Sequence, residues 1–247
     1  MSMWVRTRAT TALLVAVTAA ALLASEPANA RGRAAAASRP AVVELFTAQG
    51  CTACQQANAL LQELAGRKGV VALTLPVDVW DYLGWTDTYA RPEFTDRQKA
   101  YAERFRLREI YTPEIVVDGR KETLGFDREK VQALIAAAPR LREPGPTVRI
   151  SHDGARAQVG AARPPAKGAE VWMLRYDPTE RTVKVKAGDN RGKTVIQQNV
   201  VCELKRLGAW SGRARSYRLP AAQTKGLTTV ILVQGDRGGP VLGVAKA

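Results

Sequence analysis

The chain has 247 residues and a formal charge of +14, with 37 Lys and Arg against 23 Asp and Glu. The basic residues are scattered, with no run of five or six, and no zinc-finger or RNA-binding signature is present. That describes a solvated basic surface and argues against a nucleic-acid partner. The composition holds one histidine and three cysteines; a zinc site wants four ligands, and the histidine, His152, lies in the half of the chain away from Cys51 and Cys54, so neither zinc nor a cofactor is expected.

Taken in chain order, residues 1–30 read as a secretory signal peptide. Arg6 and Arg8 make a basic start, Thr11 to Leu23 a short apolar stretch, and Ala28-Asn29-Ala30 a small-x-small cleavage signal. The protein is therefore expected to be periplasmic or secreted, in an oxidising compartment where a disulfide persists. An uncleaved amino-terminal anchor is the alternative. No later segment is apolar for long enough to span a bilayer. Residues 31–39, small and basic, read as a disordered leader.

Residues 40–139 follow an α/β pattern. Ala41 to Phe46 predicts a strand. Ala57, Leu60, Leu61, Leu64 and Ala65 then recur at helical spacing, and Lys68-Gly69 ends the helix. Val70 to Leu75 is a second apolar strand, so the opening is βαβ with parallel strands. Asp78 to Trp85 is aromatic, acidic and irregular. Thr95 with Gln98 predicts a capping box at the start of a helix bearing Tyr101 and Phe105 on one face. Thr112-Pro113 stops any helix. Glu114 to Val117, the turn Asp118-Gly119 and a short return strand make a hairpin. Asp127 caps a last helix with Val131, Leu134, Ile135 and Ala138 inward.

Prolines and a glycine from Pro139 to Pro146 mark a linker over 140–146. Beyond it the period becomes two. Val148 and Ile150, Val171 to Tyr176, Val183 and Val185, Val195 to Leu204, Thr228 to Gln234, and Val241 to Val244 predict strands. Residues 147–247 are thus expected to form a small antiparallel β-sandwich domain, suited to partner docking or dimerisation.

The chemistry concentrates at Gly50-Cys51-Thr52-Ala53-Cys54. A Cys-x-x-Cys at a strand-to-helix junction is the redox pair of a thioredoxin-like fold. Cys51 lies ahead of the helix, where unpaired N–H groups and the helix dipole favour a thiolate, and Cys54 is the resolving thiol. Expected partners are thiol- or disulfide-bearing proteins or small thiols. Two other readings stay open: a structural bridge, and a pair of thiolates holding a soft metal such as Cu(I).

The chain resembles the exported thioredoxin-like bacterial proteins grouped as domain of unknown function 1223. The resemblance is carried by Val43-Glu44-Leu45-Phe46-Thr47 with Gly50-Cys51, by Val77 to Asp81 with Leu83-Gly84-Trp85, by Tyr111-Thr112-Pro113 with Val116 to Gly119, and by Asn199-Val200-Val201 with Leu207 to Trp210. It implies a thioredoxin-like domain followed by a β-rich domain, and no established substrate. The chain departs from the pattern at Gln55-Gln56, where two prolines are usual, and at Asn58, where Asp is.

Thr112-Pro113 resembles the cis-proline loop that faces the disulfide in such proteins, the other reading being a trans proline that ends a helix. Glu44, inside an apolar strand, is a candidate proton acceptor for Cys54 if buried, like the buried acid of related oxidoreductases. It stands seven positions before Cys51 where relatives show six, and an edge position in water is the alternative. Asp78, Trp80 and Trp85 are candidate groove residues, against a reading in which the tryptophans are core and the acid caps a turn. Cys202 and His152 are assigned no role.

Overall fold

The computed structural model describes residues 39–247 and Met1. Apart from Met1 and Arg39, the signal expected over 1–30 and the leader over 31–39 lie outside the described residues. Arg39 itself is tied down, with its carbonyl accepting from Arg142 Nη1.

The described chain is a mixed α/β structure with one large sheet. The strands are β1 (Ala41–Thr47), β2 (Val70–Pro76), β3 (Glu114–Val117), β4 (Lys121–Leu124), β5 (Val148–Ile150), β6 (Arg156–Val159), β7 (Ala169–Asp177), β8 (Arg181–Lys184), β9 (Thr194–Gln197), β10 (Val200–Trp210), β11 (Arg215–Arg218), β12 (Thr228–Gly235) and β13 (Val241–Lys246). The helices are α1 (Cys54–Ala65), α2 (Pro92–Phe105) and α3 (Arg128–Leu141). Eight strands form a single sheet in the order β13-β12-β7-β10-β2-β1-β3-β4. β1 and β2 are parallel, and β3 joins β1 antiparallel.

Every residue of β1 is buried, because both faces of the strand are covered. Ala41, Val43 and Leu45 meet Ala57, Leu60, Leu61 and Leu64 of α1 and Val131 and Ile135 of α3. Val42 and Phe46 meet Phe94 and Tyr101 of α2 on the opposite face, together with Leu174, Val201 and Leu232. This two-sided burial turns an alternating pattern into a continuous apolar run, each fully buried Leu or Phe contributing roughly 1.5–3 kcal/mol.

The carboxy-terminal strands correct the expected architecture. The main sheet of residues 147–247 is not separate from the first half, since β7, β10, β12 and β13 extend the amino-terminal sheet. The join is at β2 and β10. Thr74 N donates to Asn199 O at 3.0 Å, Thr74 Oγ1 to Gln198 O at 2.6 Å, and Asn199 Nδ2 to Ala72 O at 2.9 Å. Asn199 has φ 53°, a left-handed conformation asparagine tolerates, and it divides the expected strand 195–204 into β9 and β10. A second layer does exist there. The sheet β11-β6-β5 covers the face of β7 and β12 that carries Val171, Met173, Ile231 and Val233. β6 and β11 were not expected, their short charged sequences Arg156–Val159 and Arg215–Arg218 hiding the alternation.

Two boundaries also shift. α3 runs through Pro139 to Leu141. A proline in the last turn removes one backbone bond without breaking earlier ones. The expected linker is held in place, as Arg142 is buried with Nε donating to Asp118 Oδ2 at 2.7 Å. α2 begins at Pro92 rather than Thr95, with the proline in its first turn, where a missing N–H costs nothing. Gln98 is not a capping residue. It is buried and donates to Tyr111 O and Glu114 Oε2, both at 2.8 Å.

Candidate functional site

The apolar run of β1 stops at Thr47, the chain turns through Ala48–Gly50, and α1 begins at Cys54. Cys51 and Cys54 form a disulfide across this junction, with Cα atoms 5.4 Å apart. Cys51 N donates to Ala48 O and Cys54 N to Cys51 O, each at 3.2 Å. Thr52 and Ala53 are exposed, whereas the two sulfur-bearing residues are buried with Ala48, and Trp80 packs on them. Asn58, at the position where the resemblance leads one to expect Asp, accepts from Thr47 Oγ1 at 2.9 Å and pins α1 to the end of β1.

Trp80 links the disulfide to a distant loop. Its Nε1 donates to Thr112 Oγ1 at 2.7 Å, and the Thr112–Pro113 peptide bond is cis. Gly125 completes this side. A Cβ there would stand 3.0 Å from both the Ala57 and Pro113 Cβ atoms. Any larger residue would have to push these neighbours aside by a few tenths of an ångström, so glycine suits the close passage of the chain after β4 between α1 and the proline. Its N–H donates to Pro113 O at 2.8 Å. Cys51, Cys54, Trp80, Thr112 and Pro113 therefore stand together. Tyr82, largely exposed, stacks on Trp80 with ring centroids 6.2 Å apart.

Trp85 joins this group through a residue that sequence reasoning passed over. Gln49, fully buried two positions before Cys51, accepts from Trp85 Nε1 at 2.9 Å and donates through Nε2 to Thr88 Oγ1 at 2.8 Å. Its N–H donates to Asp87 Oδ2 at 2.6 Å, and its carbonyl accepts from Asn190 Nδ2 at 2.8 Å. Asn190 lies between β8 and β9 and is itself fully buried, so the carboxy-terminal half holds the loop that leads into the disulfide. The Asp-Asn pair at 189–190 looked like an ordinary turn, and no local pattern distinguishes it. Burial pushes the Asp87 carboxyl up to about 6, against the hydrogen bonds from Gln49, Tyr89 and Ala90 that favour its ionised form.

Two candidates stand elsewhere. Asp78 accepts from Thr95 Oγ1 at 2.6 Å and ties its loop to α2. Glu44 is buried, but on the α2 face of the sheet. Arg97 donates to it from Nη2 at 2.7 Å and Nε at 3.1 Å. The same Nη2 reaches Tyr101 Oη and Gln234 Oε1, each at 3.0 Å. The expectation that Glu44 serves Cys54 is corrected by strand alternation. Side chains change face at each step, so seven positions in place of six set the carboxylate on the side of the sheet away from α1. The buried-strand reading holds, and the acid is there to meet a buried arginine.

Glu114, directly after Pro113, is a second buried acid and gave no sequence signal. It is fully buried, its Oε2 accepts from Gln98, and its Oε1 has no partner among the described residues. Burial pushes its carboxyl up to about 7, helped by Glu122 and Glu44 and opposed by Gln98. Cys202 is free and half-buried, and burial raises its thiol above the ordinary value. Among the described residues no three His, Cys, Asp or Glu are grouped to hold a metal ion, and no helix is long and apolar enough to cross a membrane.

A family profile described as protein of unknown function (DUF1223) matches residues 42–234. The chain belongs to this family. Among solved structures it is similar to protein AGR_C_4864 from Agrobacterium tumefaciens, at 29% identity and TM-score 0.70, over 85% of this chain and 94% of that one. It also shares its fold with HBP35 of Porphyromonas gingivalis, at 11% identity and TM-score 0.51, over 85% of this chain and 75% of that one. No curated protein matches the chain. The family match spans both halves, in keeping with a sheet that runs through them.

Proposed function

We propose that this family member is an exported thiol–disulfide oxidoreductase whose first half is thioredoxin-like. One observation carries the reading: the Cys51–Cys54 disulfide sits at a strand-to-helix junction with Trp80 packed on it, and Trp80 in turn is bonded to Thr112 beside cis Pro113. A disulfide that only braced a loop would need none of these neighbours.

In the reduced protein, the Cys51 thiolate attacks one sulfur of a substrate disulfide and the other sulfur leaves as a thiolate. Cys54 loses its proton to solvent or buffer and attacks Cys51 Sγ. This releases the second substrate thiolate and leaves Cys51–Cys54 oxidised, with two electrons passed to the substrate. Run backwards, the same steps oxidise a substrate dithiol. Cys51 precedes α1, whose first N–H groups favour the thiolate. Export is supported by the amino-terminal pattern of basic start, apolar stretch and Ala28-Asn29-Ala30, and it would place the pair where either direction is useful.

The test is the reduction potential of the couple, measured against glutathione with Cys202→Ser as background. A catalytic pair is expected above about −300 mV, whereas a structural bridge resists reduction to below about −300 mV. A value in the lower range, with no exchange of model disulfides, would remove the proposal.

A further inference from the structure

A cavity of about 500 Å³ opens at the seam between the two halves, and none of its walls belongs to the disulfide cluster. It is lined by Arg120, Glu143, Pro144, Arg163, Pro164, Pro165, Pro240 and Leu242. Four separate segments converge there: the tip of the β3–β4 hairpin, the chain after α3, the loop before β7 and the start of β13. The hairpin tip is seated firmly. A Cβ on Gly119 would lie 2.5 Å from Gly239 O, and Val241 N donates to Asp118 O at 2.8 Å. A preformed, largely apolar hollow where two parts of a chain meet is the usual setting of a small-molecule site.

The charges in its wall are unbalanced. Arg120 is half-buried, and its Nε is sealed from solvent with no hydrogen-bond partner among the described residues. Arg39, near enough to Arg120 for the two charges to repel, is also half-buried, with Nη1 unpartnered among the described residues. The buried carboxylate of this layer, Asp118, is already engaged by Arg142 Nε and Val42 N. Burial above all, and then the neighbouring Arg142, pull Arg39 down to about 10, against the attraction of Asp118. In the cavity wall itself two guanidiniums face one carboxylate, Glu143. One further negative charge balances the wall, and the proline and leucine surface accepts an apolar body.

We propose that this cavity binds a small organic monocarboxylate with an apolar body, held by Arg120 and Arg163. A doubly charged phosphate fits less well, since the wall offers one unmatched positive charge and little polar surface. The site is independent of the redox reading, and its test does not involve the cysteines.

The experiment is calorimetric titration of the purified protein with phenylacetate, with the neutral 2-phenylethanol as comparison. Saturable one-site binding of phenylacetate is expected, and 2-phenylethanol should bind roughly tenfold more weakly or less, as for loss of a charged hydrogen bond. Arg120→Gln and Arg163→Gln should each weaken phenylacetate roughly tenfold, while Arg213→Gln, an exposed arginine outside the cavity, should leave it unchanged. Arg163 is exposed, so its variant folds and decides the matter if Arg120→Gln does not. Absence of saturable binding, equal binding of acid and alcohol, wild-type affinity in Arg163→Gln, or equal loss in Arg213→Gln would each overturn the proposal.

Discussion

Replacing Glu114 by glutamine removes a buried ionisable group while keeping its shape. The wild-type carboxyl is held at about 7 against an ordinary value of 4.5, chiefly by burial. The folded protein therefore keeps a proton between pH 4.5 and about 7 that the unfolded chain releases. With more protons bound in the native state, stability falls as pH rises through that window. The contribution is fully present below pH 4.5 and is lost as pH passes about 7. At 1.36 kcal/mol per pH unit the interval is worth about 3 kcal/mol. In Glu114→Gln this dependence disappears. The variant also carries a constant offset, because its amide needs an acceptor where Glu114 Oε1 has no partner. The offset cancels when stability is compared across pH. Urea unfolding of both proteins in the oxidised state, from pH 4.5 to 8, should show the glutamine variant gaining about 3 kcal/mol relative to wild type. Parallel profiles would refute the reasoning, and would mean that Glu114 reaches water or a counter-charge.

Arg97→Met should cost about 3–5 kcal/mol in the same assay, since it strands the Glu44 carboxylate, whereas Glu44→Leu combined with Arg97→Met should recover most of that loss. Glu44→Gln should leave the pH profile of disulfide exchange unchanged by stopped flow, because Glu44 lies across the sheet from α1. Asn190→Ala should lose about 1–3 kcal/mol by leaving the Gln49 carbonyl unpaired, and hydrogen exchange should speed up at residues 48–54. With the disulfide intact, Cys202 should react slowly with iodoacetamide near pH 7.5 and faster above pH 9, its thiol being raised by burial; rapid labelling at pH 7.5 would show that the site is open.

Local sequence was sufficient wherever a short stretch carries its own physics. The two-sided burial of β1 is written in Ala41 to Phe46, the face of α1 in Leu60, Leu61 and Leu64, the β3–β4 turn in Asp118-Gly119, and the α3 cap in Asp127, whose side chain accepts from Lys130 N. The pairing of Cys51 with Cys54 was legible for the same reason, since their spacing implies its backbone, whereas the nearness of Thr112-Pro113 was expected only from the family resemblance.

What the sequence by itself could not decide depends on partners far along the chain. Periodicity marked most of the strands in residues 147–247, though not β6 or β11, but which edge they join is set by Thr74, Gln198 and Asn199, 124 or more positions apart. The side of the sheet taken by Glu44 turned on a single position of register, and its purpose on Arg97, 53 residues away. Gln49 and Asn190 are 141 residues apart, and neither polar residue stands out until burial removes the water that would otherwise satisfy it. A strand or a turn is an energy minimum of a few neighbouring residues, whereas a buried hydrogen bond gains its value only when the whole chain closes over it, which is why the tertiary structure alone decided those contacts.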